Sequence, residues 1–398
     1  MRHHTSRHKY QAGAVSLFIV IFSALLFLII TVSFVQLMVK DQQQATTSDL
    51  SQSAYDSAQA GVEDAKRVLL VNQACANGTE AVGINCASVA SALSNKACNT
   101  VAAAGIAGNV NDKETLVQQA DGTGKTLDQA YTCVKIDLNT NDYKGKISAN
   151  QSNIVPLNAT GSFNTVEVDW FSRDDISATT NNLTVGFPFS AGKVSLPQAG
   201  NQWGTTDPAL MRAQFMQTGA TFSLADFDGL DGSVAGSNAN TLFMYPTDLN
   251  PPVQSATALD YALDPRYDSN NAPHAVACNN SFNSSVEYVC RATIKLPAPI
   301  NGSAASARAF LRLSALYNGS HYSVKLFNDA SLVQFANVQP MVDATGRANN
   351  MFRRVQSRVE LKGDFTYPEA AVDIEGNLCK DFTITDKPDG FTDTSCTP

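Results

Sequence analysis

Eight cysteines, Cys75, Cys86, Cys98, Cys133, Cys278, Cys290, Cys379 and Cys396, are the side chains of this sequence best suited to covalent chemistry. Thiols at C-x-x-C spacing would hold zinc or exchange disulfides, but that spacing does not occur. An even, scattered set reads instead as a disulfide framework in an oxidising compartment. Roughly a hundred connectivities are open to eight cysteines. The expectation here pairs sequential neighbours: Cys75 with Cys86, Cys98 with Cys133, Cys278 with Cys290, and Cys379 with Cys396.

Other groups offer weaker chemistry. Asp226, Asp228 and Asp231 crowd three carboxylates among turn-forming glycines, and Asp137 to Asp142 makes a second oxygen-rich turn. Calcium takes about six to eight oxygens, and neither segment has the spacing or closing glutamate of a helix-loop-helix calcium site. Solvated turns and a calcium site both stand, and no metal ligand is assigned. Gly122 to Thr126 (GTGKT) imitates the end of a phosphate-binding loop, yet the first glycine of that pattern falls at Gln119 and the strand-loop-helix context is missing. No cofactor is expected.

His274 and His321 are the histidines beyond the N-terminal segment, and no nucleophile elbow or histidine pair at ligand spacing surrounds them. A Ser-His-Asp set gathered from distant positions stays open. A solvent-open cleft holding one of these histidines beside a carboxylate and a hydroxyl would bring it forward. No catalytic residue is assigned, and the chain is read as not an enzyme. Trp203, Tyr245, Tyr261, Tyr267 and Tyr317 sit near turn signals, where aromatics either fill a core or stack on sugars and peptides.

The element that positions all of this lies at the front. Ala12 to Val35 (AGAVSLFIVIFSALLFLIITVSFV) carries no charge, and its hydroxyls, Ser16, Ser23, Thr31 and Ser33, can bond back to helix carbonyls. As a helix these residues rise about 36 Å, more than the roughly 30 Å of a bilayer core. A cleaved signal peptide would have an apolar region of only roughly 7 to 15 residues. Arg2, Arg7 and Lys9 precede the span without an acidic neighbour, so the N-terminus is expected in the cytoplasm and the remainder outside, where the cysteines would oxidise. His3, His4 and His8 add weak positive character to that leader.

Helical spacing continues past the span, with Leu50, Ala54, Ala58, Val62, Ala65 and Leu69 on one face. Neither proline nor glycine interrupts Ala14 to Ala60. A stripe of mostly small residues suits close packing, either on the chain's own globular part or on a neighbouring subunit.

A short basic leader ending in glycine, the span, and a helix carrying SAYDSAQAGVEDAKRVLL together resemble the N-terminal region of type IV pilin-like proteins, especially PilX-type minor pilins, over about residues 10–71. The resemblance implies cleavage by a prepilin peptidase between Gly13 and Ala14, and assembly with other pilin-like subunits through the N-terminal helix. Major pilins carry a glutamate at the fifth mature position, where Phe18 stands here. A carboxylate in lipid is costly unless paired, so its loss removes both a cost and an assembly contact. The resemblance therefore implies a minor or tip subunit, stored in the cell membrane and active in filament assembly and surface contact. The alternative is a single-pass membrane-anchored surface binding protein that enters no filament.

Without the leader, 25 basic side chains face 36 acidic ones, a formal charge of −11 that disfavours nucleic acid as a partner. Arg347, Arg353, Arg354 and Arg358 form a local basic strip near one hairpin, read as a solvated strand face. The expected fold is α+β: a long pilin-like helix followed by a predominantly antiparallel, sandwich-like, disulfide-bonded ectodomain. Expected divisions are residues 1–13 as leader, 14–71 as helix, 72–198 as a loop-rich cap and first β region, and 199–398 as a β-rich distal domain. Ala87 to Leu93 and Asp112 to Gln119 read as short helical patches, and Asn318-Gly319-Ser320 as the turn of a hairpin joining Ala309–Tyr317 to His321–Phe327.

Overall fold

The structure, a computed structural model, describes residues 12–78, 83, 85–107, 110–111, 114–118, 128–176, 184–187, 203–217, 241–248, 257–260, 274–282, 286–303 and 309–361. The leader before Ala12, the GTGKT segment, Asp226, Asp228, Asp231, Tyr261, Tyr267, Cys379 and Cys396 lie outside the described residues.

One helix runs from Ala12 to Ala76, 65 residues. Its first part needs no protein partner for its polar groups: Ser23 donates to the Val20 carbonyl, Thr31 to Phe27 and Ser33 to Ile29. From Leu17 to Val39 every large apolar side chain is exposed, between 47% at Val32 and 72% at Phe18. The helix is long and apolar enough to cross a membrane. So much exposed hydrocarbon on one rod calls for lipid or other helices around it.

The second part docks on a sheet. Ala54, Ala58, Val62, Ala65 and Leu69 are buried and Leu50 is half-buried, the face anticipated from their spacing. Small residues let the backbones approach: a Cβ on Gly346 would fall on main-chain atoms of Ala54 and Ala58, and one on Gly61 would lie 2.9 Å from Val134 Cγ2. Tyr131 Oη donates to Asp64 Oδ2 at 2.9 Å across the same contact.

That sheet is antiparallel, in the order Val110–Asn111, Glu114–Gln118, Gln129–Thr140, Phe335–Ala348, Met351–Arg358. Glu114–Gln118 thus replaces the expected helical patch at Asp112 to Gln119. Thr115 pairs with Tyr131 and is buried, so tertiary pairing overrides a weak local pattern. The short helix Cys86–Asn95 is present, capped by Asn85, whose Oδ1 accepts the Ala87 and Ser88 N–H groups.

Two further sheets share one apolar core. The second runs His274–Ala277, Thr241–Thr247, Leu210–Gln217, Ala309–Leu316, Gln151–Pro156. The third runs Ser331–Val333, Ser320–Asn328, Ser162–Ser172, Tyr288–Asn301, Thr257–Asp260, with Tyr143–Ile147 also paired to Ser320–Asn328. Pairing is antiparallel except at His274–Ala277 with Thr241–Thr247 and at Thr257–Asp260 with Tyr288–Asn301. Val166, Val168 and Trp170 point into the core, with Trp170 Nε1 donating to the Ala209 carbonyl at 3.0 Å. The architecture is a long apolar helix joined to a largely antiparallel β domain.

A further sequence expectation differs from this architecture. Ala309–Leu316 and Ser320–Asn328 do not form a hairpin; they belong to different sheets. Asn318 donates to the carbonyls of Gly204 and Asp207, and Gly319 lies against the Ile147 and Ala149 backbone, so the turn is spent on a crossing between layers. Residues before and after Gln198 share all three sheets, so that position does not divide the β strands into separate sheets.

Disulfides join Cys75 to Cys86, Cys98 to Cys133, and Cys278 to Cys290, three of the sequential pairs. The first fastens the helix end to Cys86–Asn95, the second holds the segment after that helix against Gln129–Thr140, and the third closes a loop beside the shared core.

Candidate functional site

The strand Ser162–Ser172 ends on a capping box. Ser172 Oγ accepts the Asp174 N–H at 3.2 Å, and Asp175 Oδ2 accepts the Ser172 N–H at 2.8 Å, which winds Arg173–Asp175 into one 3-10 turn. Next to it starts Ser320–Asn328, and Ser320 Oγ accepts the Phe171 N–H at 2.9 Å. Phe171 has φ +64°, so a non-glycine residue holds the bend that turns the strand end towards its neighbour.

This junction places His321 on Asp175. The carboxylate accepts the His321 main-chain N–H at 2.9 Å (Oδ2) and 3.1 Å (Oδ1), and ring Nδ1 lies 2.6 Å from Oδ1. With Asp175 side chain 5% exposed and its oxygens already accepting, the proton between them belongs to Nδ1. In the neutral ring Nε2 then carries the lone pair, and no hydrogen bond to it is formed among the described residues.

His321 lines an open cleft of about 520 Å³ together with Lys144, Glu287 and Tyr288, and with Ser172, Arg173 and Asp174 of the turn. Lys144 Nζ bonds Glu287 Oε1 at 2.5 Å and stands 6.0 Å above the Tyr288 ring. Burial, then the carboxylates of Glu287, Asp142, Asp169 and Asp175, push the Tyr288 phenol far above its ordinary range, so it stays protonated. On the strand that ends at Ser172, Asp169 is buried between Arg291 (2.5 Å) and Lys325 (2.9 Å), and hydrogen bonding to Asp169 raises the Arg291 pKa.

Most chemistry anticipated from the sequence is dispersed. His274 lies on the second sheet and not on this cleft. The cleft puts a histidine beside a carboxylate, but Ser172 Oγ is occupied by its turn and, among the described residues, no hydroxyl hydrogen bonds to the imidazole. A Ser-His-Asp relay is not assembled there. Among the described residues, no group of three or more His, Cys, Asp or Glu side chains is arranged to hold a metal ion. In the Asp137 to Asp142 turn, Asp137 pairs with Lys96 and Asp142 with Arg358.

The basic strip is paired rather than simply solvated: Arg347 holds Glu114 and Asp128, Arg354 holds Asp343, Arg358 holds Asp142, and Arg353 donates to Ser51 Oγ on the helix. Tyr245 is fully buried, while Trp203 stacks on Tyr317 at 4.3 Å and donates from Nε1 to the Pro208 carbonyl. Trp203 also meets the Tyr245 ring edge-on at 5.4 Å. Phe18 stands bare on the apolar half of the long helix, and Gly13 and Ala14 lie in its first turn.

Sequence reasoning reached His321 but not Asp175, Lys144, Glu287 or Tyr288. Ser172 to Asp175 does carry a readable turn signature, whereas its partner histidine is 146 residues away. No protein-family model matches the chain, and none of the curated proteins or solved structures compared with it does.

Proposed function

We propose that this chain is a pilin-like minor or tip subunit, stored in the membrane by its long helix and displaying the β head for surface contact. The observation that carries the reading is the division of labour along one unbroken helix: apolar and bare from Leu17 to Val39, small-residue and sheet-docked from Ala54 to Leu69. The bare half is suited to lipid first and to neighbouring helices later, because in a bilayer helices associate by packing rather than by escape from water. Arg2, Arg7 and Lys9 favour a cytoplasmic N-terminus, and three disulfides suit a head in an oxidising compartment. In this reading a prepilin peptidase cuts between Gly13 and Ala14, and the head acts by binding rather than catalysis.

Phe18 leaves room for a second reading, in which the chain is a single-pass anchored binding protein, because the helix lacks the carboxylate that major pilins use between subunits. Surface filaments sheared from cells and analysed by mass spectrometry separate the two. The filament reading predicts the chain in the sheared fraction, beginning at Ala14. Chains that keep Met1 or Arg2 and remain wholly in the membrane pellet would establish the anchor reading instead.

A further inference from the structure

We propose that the cleft beside His321 binds a neutral saccharide. Three features of the cleft point the same way. First, Asp175 fixes the orientation of the imidazole through Nδ1, so that Nε2 of the neutral ring is a pre-oriented acceptor suited to a hydroxyl and unsuited to a carboxylate or phosphate oxygen. Second, the charged side chains of the lining balance: Lys144 and Arg173 against Glu287, which Lys144 bonds, and Asp174, so no cationic excess draws an anion. Third, donors (Lys144, Arg173, the Tyr288 phenol) and acceptors (Asp174, Glu287) line the same cleft as the half-buried Tyr288 ring.

A sugar ring presents that mixture. Its hydroxyls both donate and accept, and its C–H face packs on an aromatic ring. The volume of about 520 Å³ lies within the range of ordinary small-ligand sites and is open on one side, which suits the end of a longer glycan. Asp175 does not touch the ligand in this arrangement; it is a positioning residue for His321. Ligand recognition by the head does not depend on whether the helix enters a filament, so either reading can fail without the other.

The test uses the full chain, isotope-labelled and held in detergent micelles. Lactose, maltose and N,N′-diacetylchitobiose are titrated to about 10 mM, some tenfold above a roughly millimolar Kd. Sodium phosphate and sodium acetate are run as separate arms. At least one disaccharide is expected to shift the His321 imidazole and Tyr288 ring signals saturably. His321→Ala and Glu287→Gln should each weaken that binding by about tenfold or more. Glu287 is 65% exposed at its side chain, so its variant tests the site without threatening the fold. In His321→Ala the main-chain N–H still reaches Asp175, and an unmoved Trp170 indole signal certifies the core. Silence from all three disaccharides overturns the proposal, as does a response to phosphate or acetate alone, or disaccharide binding that both variants leave unchanged.

Discussion

Replacing Gly346 by valine should lift the long helix off its sheet. A Cβ at this position meets the Ala54 carbonyl and the Ala58 nitrogen, which are backbone atoms that cannot swing aside as a side-chain tip would. Accommodation requires the helix to move, and the move breaks the packing of Val62, Ala65, Val68 and Leu69 on Val134, Ile136, Val342 and Ala344. Overpacking a filled contact costs about 1 to 3 kcal/mol, and a main-chain obstruction belongs at the top of that range. Hydrogen exchange reads the effect directly, since amides between Ala54 and Leu69 should lose protection while the core around Trp170 keeps it. Gly161→Ala is the control: nothing lies within 4 Å of a Cβ there, and its effect should stay within about 0.5 kcal/mol. Wild-type protection in Gly346→Val would mean the helix is not held by this face.

Removing the Cys98–Cys133 bridge should cost more than removing either of the other two bridges described. It closes a 35-residue separation, against 11 for Cys75–Cys86 and 12 for Cys278–Cys290. Chain entropy gives about 4 kcal/mol for the longer loop and about 3 kcal/mol for the shorter ones. The bridge also fixes the register of the segment that covers the helix end: Val134 N–H donates to the Cys98 carbonyl at 2.7 Å, and Val101, Ala104, Val89 and Leu93 lie buried behind it. Urea unfolding of the Cys98→Ser/Cys133→Ser double variant should show that loss as a lower midpoint, with Cys278→Ser/Cys290→Ser falling less. A loss below about 1 kcal/mol would mean the cap is held by packing alone.

What the sequence disclosed follows the range of the interactions. The helix and its buried face were legible because Leu50, Ala54, Ala58, Val62, Ala65 and Leu69 repeat locally. Alternation along Thr165 to Phe171 sets Val166, Val168 and Trp170 on one face and Thr165, Glu167 and Asp169 on the other, and the first three are buried in the core. The burial of Asp169 on the opposite face is not written in that alternation, because Arg291 and Lys325, which cover it, come from two other strands. Asn318-Gly319 carries a genuine turn signal, but local turn chemistry does not specify which strand follows on which layer. The cleft was the least legible feature. Its residues come from four separate stretches, and only their arrangement in three dimensions relates His321 to Asp175 or Lys144 to Glu287.

The most direct test of the account is to treat membrane vesicles of known sidedness with protease and to weigh the protected fragments. In right-side-out vesicles the account predicts loss of the head and survival of a short apolar fragment beginning at Ala14 and ending beyond Val39. In inverted vesicles the disulfide-bonded head should survive intact. A chain that washes from the vesicles at high pH, or a head protected in right-side-out vesicles, would contradict it.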